Sequence, residues 1–544
     1  MSSPRPGIAA RDHGAGELPV WLAPRSLLVL VMLLTMFRLW SAASAGLIED
    51  EAYYRLWGLF PASSYYDHPP MVAWWIWLGQ TIAGDTALGL RLVGVLSGAV
   101  GSLALWRTAN ILFDRKVAGL SVLFLNATLL IGVGGILITP DTPSVLFWGL
   151  TLWALAELQV SGRADWWLAV GAFAGCGLLS KYSGLFLGSG IVLWLIAVPS
   201  TRRWFLCWQL WLGGALAIAL FTPVLLWNHA YDWASFYKQF GRAGRGDSLT
   251  SKYVFEFLGA LFGLLNPLIA VPAAAGSVML VWRLRQGDEA AGMLLLTSLP
   301  FLAYLLVHSL HSRVQGNWPA PLFPAACIMA AVFIGGQTDR IWRGVAIGAI
   351  VFGLTLGIVV QLHAVDAFTG RFARKDPTFR LRGWPEVAGD VERIAARQGA
   401  AFVATTSYGM TGQLAYGLRQ TDLPVIPLTE RIRYVMMPEP DRERLAATGL
   451  YVAEARRDER VKLEALYCEV TPVATLTRNV LATPLESIVV YRISGPLRDP
   501  LEPVDSEVPP VSTGHRRQPE DCKSDPNLDP GLNTNIPTGP LDGG

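Results

Sequence analysis

Over the first two thirds of the chain, apolar residues fall into runs long enough to cross a bilayer, which takes roughly 17–25 residues. The pattern predicts spans at about 26–45, 86–107, 117–137, 143–159, 166–180, 184–199, 205–227, 255–282, 291–308, 318–336 and 341–362. That is eleven, give or take two, since the short fifth and sixth also fit a single re-entrant pair. The 71–83 piece, MVAWWIWLGQTIA, is too short to span easily, and its tryptophans suit a helix lying at the interface. Residues 1–25 form a polar, basic lead. Ser41-Ala42-Ala43-Ser44-Ala45 has the small-residue look of a signal-peptide cleavage site. An uncleaved first helix is preferred, because the acidic loop after it would otherwise lose its anchor.

From about 363 to 498 the periods become those of a soluble α/β domain. GWPEVAGDVERIAARQG (383–399) has helical spacing and ends at Gly399, and GMTGQLAYGL is a second helix. AAFVATTSY, LPVIPL, GLYVAEAR, VTPVATLTR and ESIVVYRIS read as strands of a small mixed sheet. Pro, Asp, Gly and Asn dominate residues 499–544, a composition expected to stay disordered.

Composition agrees: 52% of the 544 residues are hydrophobic and only 16% charged, where globular chains run nearer a quarter charged. A net charge of +2 gives no reason to propose a nucleic-acid partner. Cys176, Cys207 and Cys327 sit in apolar segments without metal spacing, and a Cys468–Cys522 disulfide is open outside the cytoplasm. Charge also orients the spans. With the N-terminus inside, the inner loops hold Arg107, Arg115 and Lys116, then Arg163, Arg202 and Arg203, Arg283 and Arg285, and Arg340 and Arg343, as the positive-inside rule requires. The outer set is then the 46–85 loop, the turns at Asp141 and Lys181, the 228–254 and 309–317 loops, and everything after 363. Nearly every chemically interesting group lands on that extracytoplasmic face.

Leu47 to Trp77 concentrates those groups, with Glu49, Asp50, Glu51, Asp67 and His68 ahead of Pro69-Pro70. Carboxylates beside a bilayer are costly unless used or wet. Asp50 and Glu51 fit a general base for an acceptor hydroxyl, and equally a solvated pair at the start of an interfacial helix. Asp141, in Thr139-Pro140-Asp141-Thr142-Pro143, fits the N-cap of the next helix or a second reactive carboxylate. Lys181 either snorkels to headgroups or, with Arg242, Arg245 and Arg313, supplies cations for a phosphodiester. Asp50, Glu51, Asp67, His68 and Asp141 are candidate ligands for a divalent metal, though no spacing rule supports one. No Gly-rich nucleotide loop is present at a strand–helix junction.

Six segments together resemble a known family: Asp50-Glu51-Ala52-Tyr53-Tyr54, Asp67-His68-Pro69-Pro70, Thr139-Pro140-Asp141-Thr142-Pro143, Ser180-Lys181-Tyr182-Ser183-Gly184, Gly316-Asn317-Trp318-Pro319-Ala320-Pro321 and Asp376 to Trp384. In this order the chain resembles the GT-C glycosyltransferases that use polyprenyl-phosphate sugars, in particular the bacterial aminoarabinose (lipid A) transferase and protein O-mannosyltransferase superfamily. The resemblance covers roughly residues 26–490. It implies a mostly α multi-span membrane bundle of about 11–13 spans over 26–362, with extracytoplasmic interfacial helices and an extracytoplasmic α/β domain over 363–498, in a bacterial inner membrane. It implies transfer of a sugar, with inversion, from undecaprenyl or a related polyprenyl phosphate to lipid A or core, another glycan, or a protein. Asp50 takes the position of the general base or its electrostatic partner, and Asp141 that of the second carboxylate. Lys181 and Gly316–Pro321, including Asn317 and Trp318, fall near the donor's phosphate. Tyr54, Asp67, His68 and Arg313 complete the substrate-binding candidates. Where the aminoarabinose enzymes carry Glu-Lys before the prolines, this chain has Asp67-His68. A neutral imidazole holds phosphate less firmly than lysine, so His68 is protonated here or another cation takes over. The rival reading is a polytopic transporter or flippase for a lipid-linked sugar, which should show inverted repeats.

Overall fold

A computed structural model describes residues 18–241, 249–371 and 373–503. Arg242, Arg245, Cys522 and most of the 499–544 tail lie outside the described residues. The chain divides into two compact units. The first is Met1–Ala45 with Ala62–Val365, and the second is Gly46–Pro61 with Asp366–Gly544. The acidic stretch after the first helix is therefore split between them.

In chain order, the first helix α1 is Pro24–Ser44, and α2 (Glu49–Leu59) belongs to the second unit. The bundle continues through α3 (Met71–Ala83), α4 (Ala87–Leu112), α5 (Arg115–Ala127), α6 (Leu129–Gly134), α7 (Asp141–Ser161), α8 (Trp166–Ser180), α9 (Gly184–Ala197) and α10 (Trp208–Ala230). It ends with α11 (Ala234–Phe240), α12 (Lys252–Leu264), α13 (Pro267–Arg285), α14 (Glu289–Ser309), α15 (Phe323–Gly335) and α16 (Arg340–Val365). Among the described residues seven of these, α1, α4, α7, α10, α13, α14 and α16, are long and apolar enough to cross a membrane. The number is eight if α9 and the turn of 3-10 helix after it, bent by 109°, form one span.

That count corrects the eleven expected, and the reasons are local. The run at 117–137 is cut where the Thr128 hydroxyl accepts the Ile131 N–H and opens α6. The run at 255–282 is cut at Asn266, which sits at φ 76 and caps α13 by accepting the Leu268 N–H, just before Pro267. Caps and prolines end helices even inside unbroken apolar sequence. The expected spans at 166–180 and 318–336 hold helices of 15 and 13 residues, short for a bilayer. Polar groups inside the bundle are paired. Arg91, fully buried, donates to the Ala42 and Ala45 carbonyls that the end of α1 leaves open.

The second unit is built on a five-stranded sheet of β1 (Phe402–Thr405), β2 (Val425–Pro427), β3 (Gly449–Glu454), β4 (Tyr467–Val480) and β5 (Thr483–Pro496), in the order β2-β1-β3-β5-β4. The first three pair in parallel, and β3–β5 and β4–β5 are antiparallel. Alternation along β1 and β3 buries both faces. Val403, Leu450 and Val452 meet helix α17 (Trp384–Gln398) through Val387 and Val391, while Phe402, Ala404, Tyr451 and Ala453 form the opposite core. Cys468 is disulfide-bonded, and Cys176, Cys207 and Cys327 are free thiols.

Helix α2 is seated on this domain against α18 (Tyr408–Gly417), with Ala52, Tyr53, Leu56 and Trp57 buried. Two glycines permit the approach. A Cβ on Gly412 would stand 2.6 Å from the Tyr53 nitrogen, and one on Gly46 would stand 2.0 Å from the Leu381 carbonyl oxygen. Both neighbours are backbone and cannot yield cheaply. Gly412→Ala is therefore expected to destabilise the protein by about 1–3 kcal/mol, the usual cost of overpacking. Gly389→Ala, in open space inside α17, should instead add up to about 1 kcal/mol through helix propensity. Opposite shifts in thermal unfolding of the full chain check the pair; equal shifts would contradict it.

Candidate functional site

In the first unit, α7 starts at Asp141 after Pro140. The sequence left open whether Asp141 merely caps that helix. Its side chain does something else. Oδ1 accepts from Lys181 Nζ at 2.5 Å and Oδ2 accepts from Asn317 Nδ2 at 2.6 Å. Residues 40 and 176 positions along the chain from Asp141 thus meet at its carboxylate. Lys181 is the extended residue that ends α8, and its side chain is only 16% exposed, so it does not snorkel free. An ammonium carries three N–H donors, and the bond to Asp141 leaves capacity for an anion.

The Asp67-His68-Pro69-Pro70 turn lies beside this group. Burial is the main force on His68, helped by the charge of Lys181 and Lys238 and opposed by Asp67 and Asp141. Together they push its imidazole down to about 4. His68 is neutral at pH 7. Another cation lies beside the turn. Lys238 of α11, nearly buried, pairs with Asp67 at 2.6 Å and lies 4.0 Å over the Tyr66 ring. Gln239 donates to the Asp67 carbonyl. Sequence reading missed Lys238. Its signal was a lone lysine in the aromatic run Trp233 to Phe240, on the same predicted face as Lys181.

Arg313, 77% exposed, pairs with Glu256, and the Trp318 ring packs 5.4 Å from that of His308.

The second unit carries the rest. Asp50 lies in the first turn of α2, where it accepts a 3.0 Å hydrogen bond from Tyr408 Oη. Glu49 pairs with Arg380 at 2.5 Å, and Arg433 stacks over the Tyr408 ring. Glu51 is fully buried, and its carboxylate accepts the Ile48 N–H at the helix start. It is a buried cap, where the sequence left open a solvated pair or a base. Tyr54 is buried against Tyr53 and Trp57. Tyr408 and Arg380 were not assigned roles from sequence; a partner 358 residues away leaves no local pattern. Among the described residues no group of three or more His, Cys, Asp or Glu gathers to hold a metal ion, so Asp50, Glu51, His68 and Asp141 do not form such a set.

A family model described as dolichyl-phosphate-mannose-protein mannosyltransferase matches residues 67–227, a range that contains Asp67, His68, Asp141 and Lys181. The chain is 24% identical over 414 residues to the lipid A galacturonosyltransferase RgtD of Rhizobium johnstonii, covering 73% of this chain and 84% of that protein. It is 24% identical over 344 residues to an undecaprenyl phosphate-alpha-4-amino-4-deoxy-L-arabinose arabinosyl transferase of Pseudomonas fluorescens, covering 59% of this chain and 58% of that one. The chain thus spans a little over half the length of that relative. Its fold is similar to the crystal structure of ArnT from Cupriavidus metallidurans bound to undecaprenyl phosphate, with a TM-score of 0.63 at 17% identity, covering 86% of this chain and 98% of that one. The chain is thus similar in sequence to these membrane glycosyltransferases and shares the fold of ArnT. Within this bundle Asp141, Lys181 and Asn317 form one connected polar group.

A neutral His68 has a consequence for pH. Its imidazole titrates near 6.5 when unfolded and near 4 when folded, so the unfolded chain binds more protons in between. Stability should therefore fall as pH drops from about 6.5 to about 4. Replacement by Asn should flatten that part of the profile. Melting midpoints of wild type and His68→Asn across this window decide it, and parallel profiles would count against a neutral His68.

Proposed function

We propose that this protein transfers a sugar from a polyprenyl-phosphate donor to an envelope acceptor at the extracytoplasmic face, with inversion at the anomeric carbon. The observation that carries the reading is the Asp141–Lys181–Asn317 clamp, in which a paired but incompletely used cation is held among apolar helices. That is a suitable seat for a lipid-borne phosphate. The names of the similar proteins, a lipid A galacturonosyltransferase and an undecaprenyl phosphate-aminoarabinose transferase, support the same class of donor and acceptor. The outward orientation rests on the positive-inside distribution of arginines.

In this reading the acceptor hydroxyl attacks the anomeric carbon from the side opposite the phosphate and gives its proton to the Asp50 carboxylate. The new carbon–oxygen bond forms as the bond to the phosphate oxygen breaks, and the electron pair leaves on the polyprenyl phosphate. Charge grows on that phosphate in the transition state. Lys181 donates to it, and Lys238 adds positive potential; preorganised donors at such a point are the usual source of most acceleration. Asp141 acts as a positioning residue. Both its oxygens are engaged, which makes it a poor base and a good holder of Lys181 and Asn317. Tyr408 donates to one oxygen of the Asp50 carboxylate and so orients it.

The test is transfer of radiolabelled sugar from polyprenyl-phosphate donors in membranes. Asp50→Asn should lower turnover by about 10²–10⁴-fold, the range for loss of a general base. Lys181→Gln should cost about 10²–10³-fold, as for one lost transition-state donor. Asp141→Asn should weaken donor binding and turnover together. Full activity in the Asp50 and Asp141 variants would remove the proposed site. Equilibration of a lipid-linked sugar across vesicles without transfer would favour a flippase.

A further inference from the structure

Asp50 belongs to a ring of contacts that closes within the second unit. Tyr408, the first residue of α18, donates to Asp50 Oδ1 at 3.0 Å. The Arg433 guanidinium lies over the ring of that tyrosine, 5.2 Å from its centroid. Tyr53 completes the ring. Its side chain packs 5.2 Å from the Tyr408 ring, and its Oη donates to the Arg433 carbonyl at 3.4 Å. Asp50 and Tyr53 are three residues apart on α2 and so share one face of it. That face holds both ends of the chain of contacts Asp50–Tyr408–Arg433.

Arg433 is itself aimed. Both oxygens of Glu430 grip it, at 2.6 Å to Nε and 3.1 Å to Nη2. Two-point pairing fixes the plane of a guanidinium where a single bond would let it swing. Glu430, which supplies the grip, has a left-handed backbone at φ 49, a setting that favours glycine or asparagine. The Glu502 carboxylate accepts its N–H and helps to hold it there. Backbone strain of this kind gathers at working sites. A cation over a phenol draws on the electrons of the ring and makes the hydroxyl a stronger donor. A stronger donor favours the ionised form of the carboxylate that accepts from it. The other charged groups about Asp50 are Glu49 and Glu51 on α2, and Arg380. Arg380 is bound to Glu49 and lies within electrostatic reach of Asp50 and Tyr408.

We infer that Arg433, aimed by Glu430, is a positioning residue for Asp50 that works through Tyr408. The inference rests on Asp50 being the base of the proposed reaction. The experiment follows sugar transfer by the full chain in membranes between about pH 4 and pH 9, reading kcat and the donor KM. Tyr408→Phe should lower kcat about tenfold with the donor KM unchanged. It should also move the acidic limb of the profile up by about 0.5–1 pH unit, because the hydrogen bond no longer opposes protonation of Asp50. Arg433→Gln should lower kcat about two- to fivefold and move the limb the same way by less. Glu430→Gln keeps the arginine but not its charged clamp, and should follow Arg433→Gln in direction. The double variant of Tyr408 and Arg433 should be no worse than Tyr408→Phe alone, since the arginine acts through the tyrosine. Arg419→Gln removes a similar stack, over Tyr416, and should leave the limb in place. Unmoved limbs in Tyr408→Phe and Arg433→Gln, additive losses in the double variant, or an equal shift in Arg419→Gln would each overturn the inference. Full turnover in Asp50→Asn would instead remove the reading beneath it. An inactive Asp50→Asn with unmoved limbs in the other variants would remove this inference alone.

Discussion

Charge held among apolar helices has to be paired, and the Asp141–Lys181 pair is where this chain meets that constraint. Both side chains are largely withdrawn from water, at 10% and 16% exposure. Removing one partner from such a pair typically costs about 3–5 kcal/mol, because the other charge is left behind in a poor solvent. The pair also fixes three elements at once. Asp141 sets the start of α7, Lys181 the end of α8, and Asn317 the loop before α15. Replacing the group with leucines would hold the helices as well or better. The group therefore suits the anion-binding role proposed for it.

Around that centre the Asp67-His68 turn shows how the chain manages a substitution in its own pattern. A lysine before the prolines would have brought a cation on a stiff loop. With His68 neutral, the cation comes instead from Lys238 on a short helix far along the chain, and Asp67 and the Tyr66 ring hold it. Positive potential near the turn is thus kept with different residues. Asp50 reaches its setting by another route: α2 follows a membrane helix in sequence, yet it packs into the soluble unit on glycines of α18.

Much of the architecture was legible before any coordinates. Six of the seven free-standing spans sit within a few residues of the predicted runs; β1, β2 and β3 fall inside segments picked by alternation or apolar content, while β4 and β5 run past theirs at both ends. The excess in the span count came from runs whose hydropathy is continuous but whose backbone is not. Thr128 and Asn266 cap new helices through side-chain hydrogen bonds, a signal that averages of apolarity smooth away. The site was legible as a set of residues and not as a set of contacts. Asp141, Lys181 and Asn317 stood out in separate segments, but their meeting at one carboxylate did not.

Sequence by itself determined the membrane bundle and the appended α/β domain, and it named candidates for phosphate and proton chemistry, since hydropathy, periodicity and residue type act locally. Tertiary structure alone decided which of them act together. It made Glu51 a buried cap, gave Asp50 its tyrosine, brought in Lys238, and held His68 neutral. Each of those outcomes depends on burial or on a charge supplied by residues distant in sequence. Electrostatic free energy in a low-dielectric interior is set by distance in space, and spacing along the chain carries almost no record of it.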